Sequence, residues 1–168
     1  MPELQRLSAD HELALLAFEL ANRSYFAASI SDRGEEYFAQ FAAHHAESLA
    51  EQKSGQCAYY VLVAGGGSIV GRFNLRDIDN GSAVLGYRVA QNVAGHGLAT
   101  ATVDQLCREA ATMLGLSRVR AATSDANIAS RRVLLKADFV LIGPADPADL
   151  GGRPGNWYER LIVPPRSQ

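Results

Sequence analysis

The sequence predicts an α+β (mixed α/β) fold: one mixed, mostly antiparallel sheet of about seven strands with helices on both faces. Three observations predict it. Residues 57–64, 68–75 and 83–89 are rich in strand formers and follow one another through turns at Gly65-Gly66-Gly67 and Asp79-Asn80-Gly81-Ser82. Asn-Gly is a strong hairpin signal, so these strands form an antiparallel meander. An amphipathic helical pattern over residues 98–114 then separates the third strand from a fourth at 118–123, the spacing of a parallel crossover.

Each element has a local cause. Residues 4–7 form a short first strand. Ser8 or Asp10 caps a helix whose apolar positions are Leu13, Leu16, Ala17 and Leu20. Residues 25–30 read as a connecting loop. Ser31 or Asp32 caps a second helix with Glu35 and Glu36 in its first turn, Phe38, Phe41, Ala42 and Leu49 on its apolar face, and Gly55 at its end. After the meander, Ala99, Val103, Leu106, Ala110 and Met113 recur at intervals of three and four on the crossover helix, and Gly115 suits the position past its end. Residues 118–123 are a strand, 128–136 a short helix, 139–142 a strand, and 143–155 a turn-rich stretch. Residues 157–163 make the last strand, before the Pro164-Pro165 tail.

Length and composition narrow the class. The chain has 168 residues, which suits one domain over 1–168 with a sizeable core. Its hydrophobic share of 48% and charged share of 20% are ordinary for a globular protein. A formal charge of -2 gives no general pull toward nucleic acid or anionic membranes, and neither is expected as a partner. The N-terminal residues lack the apolar stretch of a signal peptide, and no apolar run approaches the ~18 residues of a spanning helix. A cytoplasmic protein, monomer or homodimer, is expected. Cys57 and Cys107 have no metal-ligand spacing and read as buried free thiols. Adjacent His44 and His45 diverge by ~100° on a helix, so they form no ligand pair, and no metal is expected.

The most informative stretch joins the third meander strand to the crossover helix. Tyr87-Arg88-Val89 leads through Ala94-Gly95-His96-Gly97 into Leu98-Ala99-Thr100. Small residues at a strand-to-helix turn leave backbone N–H groups uncovered, and the helix start adds unpaired donors and partial positive charge. That combination suits a phosphate or pyrophosphate. It is neither the dinucleotide fingerprint, which needs Gly-x-Gly-x-x-Gly after a first strand, nor a P-loop, since no Gly-Lys-Ser/Thr follows. A second block, Asn127-Ile128-Ala129-Ser130-Arg131-Arg132-Val133-Leu134, opens a helix at the end of the fourth strand. Asn127 is a helix N-cap by residue type, and Ser130 lies one turn along the same face.

With both blocks in this order, the chain resembles the GNAT superfamily of acetyl-CoA-dependent N-acetyltransferases. It is most similar to the branch that includes the ribosomal-protein (Rim-type) alanine and serine N-acetyltransferases. Residues 89–100 match the family's pyrophosphate loop, written Gln/Arg-x-x-Gly-x-Gly/Ala. Asn127 and Ser130, with Phe139 following, match its Asn-x-x-Ser helix. Ala94 stands where Gln or Arg is usual, and Asp138 where Gly is usual before Phe139.

The resemblance implies the acyl-CoA N-acyltransferase fold, acetyl-CoA as co-substrate and a primary amine as acceptor, either a protein N-terminal α-amine or a small molecule. It implies that the backbone of Tyr87, Arg88 and Val89 takes the pantetheine arm, with an N–H near Val89 polarising the thioester carbonyl. The pyrophosphate is then held by Ala94, Gly95, His96, Gly97, Leu98, Ala99 and Thr100. Asn127 hydrogen-bonds the pantetheine near the thioester, and Ser130 serves as general acid for the leaving thiolate. That need is modest, since a thiol of pKa ~8.5 leaves well. The amine attacks directly, with no acyl-enzyme. Bland alternatives stay open: Ser130 as a solvated or capping serine, and His96, Arg131 and Arg132 facing solvent rather than CoA phosphates. Likewise Arg72, Asn74 and Arg76 either line the acceptor side or face water. Glu35, Glu36 and Asp77 are the candidate bases. A non-catalytic acyl-CoA sensor and a polyamine or antibiotic acetyltransferase are the competing readings.

Overall fold

The computed structural model describes residues 1–162. Val163 and the Pro164-Pro165 tail lie outside the described residues. Seven strands, β1 (Glu3–Arg6), β2 (Ala58–Val63), β3 (Ile69–Asp79), β4 (Ser82–Val89), β5 (Arg118–Ser124), β6 (Val140–Pro144) and β7 (Gly155–Leu161), form one sheet in the order β1-β2-β3-β4-β5-β7-β6. Helices lie on both of its faces, as expected. The meander turn is built by Asn80 (φ 49°) and Gly81 (φ 75°), the pair of left-handed residues a two-residue hairpin requires. β4 and β5 pair in parallel from Ser82↔Arg118 to Val84↔Arg120. β5/β7 and β6/β7 are antiparallel, so the last strand inserts between its two predecessors.

The chain divides into two compact units, Met1–Leu75 with Tyr87–Val93, and Arg76–Gly86 with the residues from Ala94 onward. The first holds β1, β2 and helices α1 (Glu12–Ala21), α2 (Arg23–Ala27), α3 (Glu35–Ala39) and α4 (Phe41–Ser54). Its core contains Leu15, Phe18, Phe41, Val61, Leu62, Phe73 and Leu75. The second holds α5 (Leu98–Met113), α6 (Ile128–Lys136) and β5 to β7. Val103, Leu106, Cys107 and Ala110 of α5 are buried there with Val119, Leu134, Phe139 and Tyr158. Arg160 of β7 donates from Nη1 to Asp104 Oδ1 on α5 (2.9 Å) and to the Ala137 carbonyl after α6 (3.0 Å), tying both helices to the strand.

Several expectations need correction. Residues 25–30 are not all loop, because α2 runs to Ala27 and buries Phe26. The second helix is two: α3 starts after Gly34 (φ 89°) rather than at a Ser31 or Asp32 cap, and α4 follows a break at Gln40. Asp32 instead accepts from the Gly34 N–H at 3.0 Å. On α1 the buried face is Leu15, Phe18 and Glu19, while Leu13 and Leu20 are 77% and 49% exposed. Ala42 and Met113 are likewise exposed. On α1 periodicity placed the apolar face two positions off, because it counted Glu19 as outward.

Gly155 shows how tightly β7 approaches β5. A Cβ there would meet the Thr123 carbonyl oxygen and the Leu150 side chain well inside contact distance. Gly155→Ala is expected to cost about 1–3 kcal/mol, since backbone must shift to admit the methyl. Urea unfolding would read this as a lower midpoint with an unchanged slope.

Candidate active site

The turn into α5 is shaped by backbone conformation. Gly95 (φ 81°) and Gly97 (φ 78°) both adopt left-handed geometry, which side chains resist. A Cβ at either would meet nothing within 4 Å, so the glycines leave open space over this turn. Gly97 is the N-cap of the 16-residue α5, and its carbonyl accepts from the Ala101 N–H at 3.1 Å, the first intrahelical bond. The N–H groups of Gly97, Leu98, Ala99 and Thr100 therefore precede any intrahelical acceptor. Thr102 is buried and returns its hydroxyl to the Leu98 carbonyl (2.8 Å), fixing the first turn. Donors, dipole and open space coincide at this turn, the combination that suits an anion. Ala94 is half-buried and His96 exposed.

In the same unit, Asn127 caps α6: its Oδ1 accepts from the Ser130 N–H at 3.2 Å. The capping reading of Asn127 is thus realised, and it ties Asn127 directly to Ser130. The far end of α6 explains the departure at Asp138, which takes φ 65° while the Phe139 N–H reaches back to the Leu134 carbonyl (2.9 Å). This is a left-handed helix stop that Gly would fill without strain. Cys107 sits mid-helix, buried, and burial pushes its thiol up to about 11. It is protonated at neutral pH and makes a poor nucleophile.

Tyr87, Arg88 and Val89 belong to the first unit, where the Tyr87 ring stacks on Phe73 (5.7 Å). The Arg88 side chain turns into a charged cluster that periodicity did not foresee. Glu19, 1% exposed, accepts from Arg72 Nη1 at Oε1 (2.9 Å) and from Arg88 Nη1 at Oε2 (3.2 Å). Arg72 also contacts the Tyr37 hydroxyl at 3.4 Å, and Arg88 lies 4.8 Å from the Phe26 ring centre. Burial opposes the Arg72 charge, but Glu19 and Tyr37 outweigh it and raise its pKa. At Arg88 burial wins, aided by Arg33 and Arg72, and the pKa falls. Of the three β3 candidates, Arg72 and Asn74 are buried and Arg76 is exposed, so the first two do not face water. The signal for Glu19 was a lone carboxylate inside the apolar run Leu15-Leu16-Ala17-Phe18-Glu19-Leu20.

The remaining candidates divide. Glu35 is bound to Arg23 (2.8 Å), while Glu36 and Asp77 are exposed. His45 is buried and its Nε2 donates to the Ser8 carbonyl at 3.0 Å, a structural role. Arg131 reaches the Asp125 carbonyl (3.4 Å), and Arg132 is exposed. No helix among the described residues is long and apolar enough to cross a membrane.

A mixed seven-stranded sheet with a parallel crossover, a left-handed Gly-x-Gly turn at the crossover helix and a capped Asn-x-x-Ser helix is the architecture of acyl-CoA N-acyltransferases. Residues 3–140 match the family model described as an acetyltransferase (GNAT) domain, and the chain belongs to that family. No curated protein matches it in sequence. Among solved structures it is similar to the ribosomal-protein-S5-alanine acetyltransferase of Vibrio fischeri (TM-score 0.88, 18% identity, covering 96% of this chain and 93% of that one). It is also similar to RimJ of Mycobacterium smegmatis, solved with a CoA disulfide (0.81, 22%, 94% and 80%). A third is the spermidine N-acetyltransferase of Vibrio cholerae, solved with CoA and spermine (0.79, 16%, 96% and 95%). At these identities the likeness is one of fold.

Proposed function

We propose that residues 1–168 act as one domain that transfers the acetyl group of acetyl-CoA to a primary amine, a protein N-terminal α-amine or a small-molecule amine. The observation that carries this is the open, doubly left-handed Gly95–Gly97 turn on the N-terminus of α5. Its uncovered N–H groups suit a pyrophosphate, and the solved relatives RimJ and spermidine acetyltransferase hold CoA. The resemblance further assigns the pantetheine arm to the backbone of Tyr87, Arg88 and Val89, and to Asn127. No metal enters this chemistry.

The neutral amine attacks the thioester carbon directly, the carbonyl oxygen gains charge, and the CoA sulfur departs as thiolate. Ser130 is held one helical turn from Asn127 by the cap and is the proposed proton donor to that sulfur. Cys107, buried and protonated, is unsuited to an acyl-enzyme. An α-amine of pKa near ~7.8 is partly neutral at pH 7 and needs only a weak base.

The test is thiol release from acetyl-CoA across a panel of α-amines, lysine derivatives and polyamines, with Ser130→Ala alongside. Amine-dependent release is expected, and the variant is expected to lose about tenfold in kcat, at the low end for general acid catalysis because the leaving group is good. Tight CoA binding with no amine-dependent release would overturn the reading in favour of an acyl-CoA sensor.

A further inference from the structure

A pocket in the first unit is lined by Arg33 and Arg88 together with Glu19, Arg23, Asp32 and Phe26. Its charges are unevenly matched. Arg23 is held by two carboxylates: Nη2 and Nε donate to Asp32 (2.8 and 3.0 Å) and Nη1 to Glu35 (2.8 Å). That contact pulls the Asp32 carboxyl down to about 2, so the pair stays ionised. Glu19 is committed to Arg72 and Arg88, one oxygen each. Arg33 makes no ion pair among the described residues, and its buried Nε has no hydrogen-bond partner. Its guanidinium lies over the Tyr37 ring at 4.8 Å, which fixes its place without matching its charge. Arg33 thus shares the pocket with Arg88 and Glu19 but has no carboxylate of its own among the described residues, beside the paired Arg23 and Asp32.

Arg33 and Arg88 are like charges partly shielded from water and repel one another, and a buried donor left unbonded is unfavourable. An incoming anion relieves both. A guanidinium presents its N–H groups as a planar fork that matches a carboxylate. Phe26 and Phe38 also line the pocket, with the Arg88 and Arg23 guanidinium groups 4.8 and 4.5 Å from their ring centres. Arg88 joins this pocket to the proposed chemistry, since its backbone is assigned to the pantetheine arm while its side chain lines the pocket.

We propose that this pocket receives a carboxylate of the acceptor, so that the substrate is an amine bearing an anionic group, an amino acid or a peptide with an acidic residue beside its N-terminus. This rests on the acetyltransferase reading above. A polyamine, cationic throughout, meets like charge here and is disfavoured.

The experiment measures KM with matched acceptor pairs. Alanyl-glutamate amide against alanyl-glutamine amide probes a side-chain carboxylate, and alanine against alaninamide probes an α-carboxylate. In at least one pair the anionic member is expected to show about tenfold lower KM, the scale of one charge-assisted hydrogen bond. Arg33→Gln is expected to bring that ratio close to one, the change falling on KM, with its urea midpoint as the control for folding. Equal KM within both pairs, or a ratio unmoved by Arg33→Gln, overturns the proposal. If no amine is turned over, the acetyltransferase reading has failed by itself. Calorimetric binding of the same pairs to the CoA-loaded protein then decides the pocket: preference for the anionic member, lost in Arg33→Gln, supports it, and no preference overturns it.

Discussion

Gly97→Glu is expected to weaken coenzyme A binding by about a hundredfold or more, with the fold retained. Two terms act together. A carboxylate at the N-cap of α5 competes for the same N–H groups that a pyrophosphate would use, and it repels the phosphates, at about 4 kcal/mol for a charge pair 4 Å apart under an effective dielectric near 20. A side chain at φ 78° also adds strain of about 1–2 kcal/mol, but no atom lies within 4 Å to clash with it. Gly97→Ala isolates the strain and is expected to keep affinity within about tenfold of the parent, since about 1.4 kcal/mol is one decade. Calorimetric titration with CoA reads both variants. Unchanged affinity in Gly97→Glu would show that the cradle lies elsewhere.

Glu19→Gln is expected to be the most destabilising single substitution in the first unit. Glu19 is the carboxylate between Arg72 and Arg88, at 2.9 and 3.2 Å, and all three side chains are largely buried. Removing one partner of a buried ion pair leaves the other charges uncompensated, which costs about 3–5 kcal/mol. That is a large fraction of the 5–15 kcal/mol, roughly, that holds a typical domain together. Combining Glu19→Leu with Arg72→Met is expected to recover part of the loss, since an apolar pair avoids the desolvation term. Urea midpoints for the single and double variants measure the difference. A Glu19→Gln midpoint within error of the parent would refute the assignment.

Much of the architecture was readable from short-range signals. Asn80-Gly81 specified a hairpin, Gly97 the start of α5 and Asn127 the start of α6, because each of these is dictated by residues within one turn of chain. Asp138 read as a departure from the family's Gly, and the structure shows that Asp itself takes the left-handed turn there. Burial of α1 was not. Its apolar residues are numerous enough to fit two stripes, and the choice depends on Glu19 finding arginines 53 and 69 residues away. The insertion of β7 between β5 and β6 is another long-range outcome that no local pattern encodes. The same limit applies to the site. The proposed donor half sits on turns and caps with sequence signatures, whereas the Arg33 and Arg88 pocket is assembled from segments far apart in the chain.

Burial of Cys107 carries a consequence for redox chemistry. Oxidants, disulfides and alkylating reagents attack thiolates, and this sulfur is both shielded by α5 packing and protonated until about pH 11. In the folded protein it is therefore inert, and its modification must wait for the helix to open. The rate at which Cys107 is labelled measures how often the second unit loosens, so the thiol serves as a built-in clock for that part of the molecule.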